Sequence, residues 1–138
     1  MYLLDTNVVS ELRRADKADR RVLAWANRVP ATDMFLSCIS ILELEIGVLL
    51  IARRDHGQGE ILKRWIEQRV LAPFADRILP VDAEVARRCA ALHVPDARPD
   101  RDSLIAATAI VHRLTVVTRN VAGFEPMSSR VFNPWQAA

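Results

Sequence analysis

RDSLIAATAIVHRLTVVTRN, residues 101–120, joins two unlike patterns across one short basic turn. Residues 103–112 are rich in Leu, Ile, Ala and Thr and are long enough for a buried helix, whereas 115–117 form a short β-branched run suited to a strand covered on both faces. A helix that leads directly into an apolar strand reads as a crossover unit, because parallel strands need such a connection to return to the same edge. The alternation recurs along the chain. Apolar runs at 2–4, 34–37, 78–81 and 130–132 are too short for helices and read as strands. Between them, 20–28, 41–54, 60–71 and 83–92 carry helical periodicity. Gly57 and Gly59 read as a helix–helix turn, and 94–100, with Pro95 and Pro99, as a loop. The expectation is an α/β fold, a central parallel sheet with helices on both faces, formed by residues 1–138 as one domain.

Composition narrows the function classes. With 51% hydrophobic and 26% charged residues, neither disorder nor a membrane protein is indicated. The longest apolar stretch, 39–52, contains Glu43 and Glu45 and falls short of the roughly 20 residues a span requires. The opening MYLLDTN has no basic region followed by an apolar run, and two cysteines, Cys38 and Cys89, make no disulfide scaffold, so a cytoplasmic protein is expected. A net charge of +2 does not by itself point to nucleic acid. The basic residues are almost all arginines, including the pairs Arg13/Arg14, Arg20/Arg21, Arg53/Arg54 and Arg87/Arg88. Guanidinium suits phosphate, although arginine-favouring codons and solvated helix faces give the same composition.

The acids are placed more tellingly. In open parallel sheets ligands bind beyond the carboxyl ends of the strands. Asp5 directly follows the first strand, Glu43 lies in the first turn of the helix after the second, and Asp102 opens the helix leading to 115–117, which ends in Thr118-Arg119-Asn120. Acids gathered at one edge repel one another unless a positive charge sits among them. A hard divalent cation meets that need, since Mg²⁺ takes carboxylate oxygens, retains water and commonly binds phosphate. The chemistry suggested is metal-assisted phosphodiester hydrolysis. His56, His93 and His112 lack zinc-ligand spacing, and four glycines leave no phosphate-cradling loop. Each acid also has an ordinary explanation. Ser40-Ile41-Leu42-Glu43 matches a capping box, Asp5 could cap a helix starting at Thr6, Asp102 could serve as a first-turn acid, and Asp82 reads as the N-cap of the helix after the third strand. Trp25 reads either as a core residue or as the anchor of a partner helix, and Trp135 as packing on the sheet or at a contact between copies.

Five segments together suggest a family. LLDTNVVSEL near the N-terminus, SxxxLxELxxG over residues 37–47, DSLIAATA from Asp102, LTVVTRNVAGF and VFNPW resemble the PIN-domain ribonucleases, specifically the VapC toxins of bacterial toxin–antitoxin pairs. The resemblance runs from end to end. It implies an α/β/α sandwich, an endoribonuclease dependent on Mg²⁺ or Mn²⁺, and a VapB-type antitoxin that blocks the site; a homodimer, DNA contact only through the antitoxin and no membrane association complete the expectation. The family's acidic cluster carries over onto Asp5, Glu43 and Asp102 as catalytic residues and metal ligands. Thr6 and Thr118 would orient ligands or substrate, with Arg119 and Asn120 as further substrate contacts. Glu45 is not the matching acid, because two helical positions from Glu43 turn it by about 200°. One departure stands out: family members often carry a further Asp in the TR[ND]xx[D]F segment, where this chain has Asn120 and Gly123. Asn offers a carbonyl oxygen but no charge, which implies weaker metal binding with a single well-held ion. It also motivates the alternative of a degenerate PIN domain that binds its antitoxin in a repressor complex and cuts little. A receiver or DxD phosphatase is disfavoured, since Asp5 is followed by Thr6 and Asn7. Single-stranded or loop RNA is the expected substrate, because A-form duplex hides its base edges.

Overall fold

The computed structural model describes residues 1–127 and 130–136. Strands β1 (Tyr2–Leu4), β2 (Met34–Ser37), β3 (Ile78–Leu79), β4 (Thr115–Val117) and β5 (Val131–Phe132) form a parallel sheet in the order β3-β2-β1-β4-β5. Tyr2 stands opposite Met34 on one side and Thr115 on the other, so β1 is the central strand and the chain winds outward from it in both directions. That reversal of winding direction is where open parallel sheets place their crevice. Helices α1 (Thr6–Leu12), α2 (Arg20–Arg28), α3 (Cys38–Arg54), α4 (His56–Trp65), α5 (Ala83–Leu92), α6 (Asp100–His112) and α7 (Val121–Phe124) supply the connections. None of the described helices is long and apolar enough to cross a membrane.

Alternation along the strands divides the core into two faces. Leu4, Leu36 and Val117 pack with Val8, Val22, Trp25, Leu44, Val48 and Leu62 of α1 to α4. Leu3 and Val116 face the other way, onto Ile105, Ala106 and Ala109 of α6 and Phe124 of α7. Burying each such Val, Leu or Ile is worth roughly 1.5–3 kcal/mol, and packing on both faces holds β1 at the centre of the sheet. Ala106 and Ala109 are fully buried, and their small size lets α6 lie close against β1.

The structure departs from the sequence expectations at several boundaries. β3 stops at Leu79 rather than at residue 81, and β5 begins at Val131 rather than at 130. Helix α3 begins at Cys38, three residues early, because Ser37 ends the strand and caps the helix at once, its Oγ accepting from the Ile39 N–H at 3.0 Å. Helix α6 likewise begins at Asp100 rather than at 103. The turn between α3 and α4 is not made by Gly57 and Gly59, which lie inside α4. It is made by Asp55 alone, whose carboxylate accepts from the Gln58 N–H at 3.0 Å. Gly59 serves the helix crossing instead: a Cβ there would stand 2.5 Å from Ala52 Cβ and 2.7 Å from Ala52 Cα. After α4 the chain makes a π-helical turn, Ile66–Leu71, that buries Ile66 and Val70.

Candidate active site

Asp5, the first residue past β1, is only 6% exposed. Its Oδ1 accepts from the Thr6 N–H at 2.8 Å, and its Oδ2 accepts from Thr118 Oγ1 at 2.8 Å and Asn7 Nδ2 at 3.3 Å. The anticipated cap on α1 is therefore present, and the same carboxylate also reaches across to the end of β4. Thr118 is fully buried, and its hydroxyl in turn accepts from the Asn120 N–H at 3.0 Å.

Glu43 lies in the second turn of α3 rather than the first, and the capping box expected with Ser40 does not form because Ser37 holds the cap. Ser40 is buried within the helix, 3.2 Å from Thr6 Oγ1. Thr6 Oγ1 donates to Glu43 Oε1 at 2.7 Å, and Arg101 Nη1 lies 3.8 Å from Glu43 Oε2. Asp102, half-buried in the first turn of α6, completes the set, and Asp5, Glu43 and Asp102 line one open cleft of about 570 Å³. Thr6 and Asn120 line it as well.

Three further residues of this cleft escaped the sequence reading: Asn7, Ser10 and Glu11. Their signal was the spacing of three and four residues on a helix that starts immediately after Asp5, which turns one face of α1 toward the acids. Asn120 caps α7, its Oδ1 accepting from the Gly123 N–H at 3.3 Å. A side chain at position 123 would run into the Asn120 amide, so the two departures from the family pattern accommodate each other. Arg119 lies with its guanidinium 5.3 Å from the ring centre of the buried Trp135, and its N–H donates to Asn7 Oδ1 at 3.4 Å. Trp25 is a core residue, 4% exposed and edge-on to Tyr2 at 5.2 Å, which rules it out as a surface anchor. Asp82 caps α5 as expected, accepting from the Val85 N–H at 2.9 Å.

Electrostatics couples the acids. Burial pushes the Asp5 carboxyl above its ordinary range; the Thr118 and Thr6 hydrogen bonds oppose this, and repulsion from Asp102 and Glu43 adds to it. Asp102 is raised by burial and by Glu43, with Arg101 acting in the opposite sense. Negative charge here is held against both desolvation and mutual repulsion. Among the described residues no three acids, histidines or cysteines cluster tightly enough to hold an ion by direct bonds alone. Hard oxygen donors of like charge around an open cleft nevertheless fit a cation such as Mg²⁺, which takes one or two carboxylates and fills its remaining positions with water and phosphate.

Residues 2–125 match the PIN domain. The chain belongs to the PIN-domain family. Its PIN relatives include Toxin FitB of Neisseria gonorrhoeae, 40% identical over 141 residues that cover 98% of this chain and 99% of FitB. VapC ribonuclease Y4jK of Sinorhizobium fredii is 36% identical over the full length of both chains. Among solved PIN structures, FitAB bound to the IR36 DNA fragment superposes with a TM-score of 0.89 at 37% identity, covering 100% of this chain and 98% of that one. PIN-domain nucleases generally depend on divalent metal, and two of these relatives are named as a toxin and a ribonuclease.

Proposed function

We propose that this chain is an endoribonuclease toxin that hydrolyses RNA phosphodiester bonds with Mg²⁺ or Mn²⁺ and is neutralised by a VapB-type antitoxin. The observation that carries this reading is the meeting of Asp5, Glu43 and Asp102, from three separate elements, in one open cleft where their charges oppose one another. These three residues would hold the cation, in part through the waters it retains. When bound, a divalent cation polarises the phosphoryl group and makes a water acidic enough to attack at neutral pH. The chain's own part is orientation: Thr118 and the Thr6 N–H fix the rotamer of Asp5, and the Thr6 hydroxyl fixes Glu43. Asn7, Ser10 and Asn120 bring neutral polar groups to the same cleft, suited to phosphate and ribose oxygens.

An apolar groove lined by Leu44, Val48, Ile51, Leu62 and Trp65 meets the acidic cleft at Thr6, Ser10 and Glu43. An antitoxin segment lying there would shut the cleft, and the antitoxin, not this chain, would carry the DNA contact. The homodimer is proposed to use the exposed Leu42, Leu49 and Leu50 of α3 with Ile61 of α4, which sedimentation of single Leu→Glu variants would test. The second reading, an antitoxin-binding module with little turnover, is favoured by Asn120, whose carbonyl oxygen is committed to capping α7.

One experiment separates the two. Antitoxin-free protein is incubated with a pool of structured cellular RNA, with Mn²⁺ or Mg²⁺ titrated in, EDTA as the blank and Asp5→Asn in parallel. Discrete cuts that require metal and are lost in the variant are expected. Folded protein that makes no cuts at any metal level would leave the binding module as the better reading.

A further inference from the structure

We propose that Arg101 is a shuttling cation of this cleft: it neutralises Glu43 while no metal is bound and passes to an RNA phosphate once a divalent cation takes the carboxylate. The proposal rests on the reading of the cleft as a metal-dependent RNA site. Arg101 stands on the first turn of α6, next to Asp102, and reaches across to α3, where its Nη1 lies 3.8 Å from Glu43 Oε2. That separation exceeds the roughly 2.7–2.9 Å of a charge-assisted hydrogen bond. The arginine side chain is 51% exposed against 25% for Glu43. A pair so long and so solvated is worth little, so a second cation displaces it at small cost. The guanidinium also eases the charge on Asp102, and its influence therefore covers two of the three acids.

Several other arginines are engaged elsewhere. Arg77 donates to the carbonyls of Ala31, Met34 and Pro73 and lies over Phe74. Arg119 lies over Trp135, and Arg14 and Arg21 pair with the neighbouring Asp16 and Asp19. Arg13 lines the adjoining apolar groove rather than the acidic cleft. Arg101 thus combines a position at the cleft acids with a weak tether, and its planar fork matches two phosphate oxygens at once. Its two contacts predict effects of opposite sign. Removing the guanidinium takes a competitor away from the cation and a contact away from the RNA.

The test uses full-length, antitoxin-free protein and the variants Arg101→Gln and Arg101→Lys, with folding checked by circular dichroism. Mn²⁺ affinity is read from the electron paramagnetic resonance of free Mn²⁺. RNA affinity is read from the anisotropy of a short labelled single-stranded RNA in Ca²⁺, with the RNA shown intact after the measurement. Arg101→Gln is expected to bind Mn²⁺ about two- to fivefold more tightly, the range a solvated ion pair allows. It is expected to bind RNA about tenfold more weakly, with the salt dependence of binding reduced by about 0.7 in log–log slope. Arg101→Lys should keep the slope and lose part of the affinity. Unchanged RNA binding, or Mn²⁺ binding that is unchanged or weakened, would overturn the proposal while leaving the site intact. Wild-type protein that binds neither Mn²⁺ nor RNA would overturn the reading of the cleft and this inference with it.

Discussion

Replacing Thr118 with Val removes one oxygen and almost no volume, so its effect reports on the hydroxyl alone. That hydroxyl is fully buried and takes part in three hydrogen bonds: it donates to Asp5 Oδ2 at 2.8 Å and accepts from the Asn120 N–H at 3.0 Å and Asn7 Nδ2 at 3.3 Å. A hydrogen bond to a charged group is worth about 1.5–3 kcal/mol, against about 1 for a neutral one. Asn120 is exposed and Asn7 half-buried, so water can replace their lost partner, whereas the Asp5 oxygen keeps only Asn7. The expected destabilisation near neutrality is about 2–3 kcal/mol, nearly all of it from the carboxylate. Its pH dependence follows from the direction of the Asp5 shift. A carboxyl raised above its ordinary 3.8 contributes stability that is present below that value and is lost as pH rises through the folded value. Thr118 opposes this shift, so Val raises Asp5 further and deepens the loss. Urea unfolding of wild type, Thr118→Val and Thr118→Ser should therefore show a Val deficit that is small near pH 3.8 and full near neutrality, with Ser close to wild type. A deficit equal at both pH values, or below about 0.5 kcal/mol at neutrality, would refute the reasoning.

Two further outcomes are expected. Asp102→Asn should abolish metal-dependent cleavage yet raise the melting temperature in EDTA near neutrality, because it removes a charge disfavoured by burial and by Glu43. Partial exposure limits the gain to less than about 1 kcal/mol, and it should vanish as pH falls toward 3.8; a lower melting temperature would contradict the coupling. Gly59→Ala should cost about 1–3 kcal/mol by forcing α4 off α3, since the new methyl would stand 2.5 Å from Ala52 Cβ; denaturant unfolding with an unchanged midpoint would show that the crossing adjusts freely.

The parallel sheet was legible because its strands are short, apolar and sharply bounded. Residues 34–37 and 115–117 are strands as expected, and 20–28 and 83–92 are helices with the expected ends. Misreadings arose where a local signal competed with a contact distant in sequence. Gly59 looks like a turn residue, but its reason is Ala52 on the neighbouring helix. Ser40 and Glu43 have the spacing of a capping box, but Ser37 ends the strand and starts the helix first. At the cleft, Asp5, Glu43 and Asp102 could be singled out because strand ends collect at one edge, and the structure brings them together there. Asn7, Ser10 and Glu11 could have been found from helical spacing. That Thr118 meets Asp5, or that Arg101 reaches Glu43, depends on three-dimensional proximity that no local pattern carries.

The bond between Thr118 and Asp5 spans 113 positions of the chain, and Glu43 and Asp102 fall between its ends. On the ribosome the central strand is made well before β4, whose end carries the hydroxyl that steadies its acid. A nascent chain that has emerged through α5 holds Asp5 and Glu43 but neither Asp102 nor the Thr118 hydroxyl. Loop closure over such a separation is also slow, because its entropy is lost before the contacts repay it. If the proposed nuclease reading holds, an enzyme assembled in this order would stay inert until α6 and β4 are made. On that reading, termination before α6 would yield a product unable to cut, and a partner that binds the growing α1–α3 surface would have time to do so before the centre is complete.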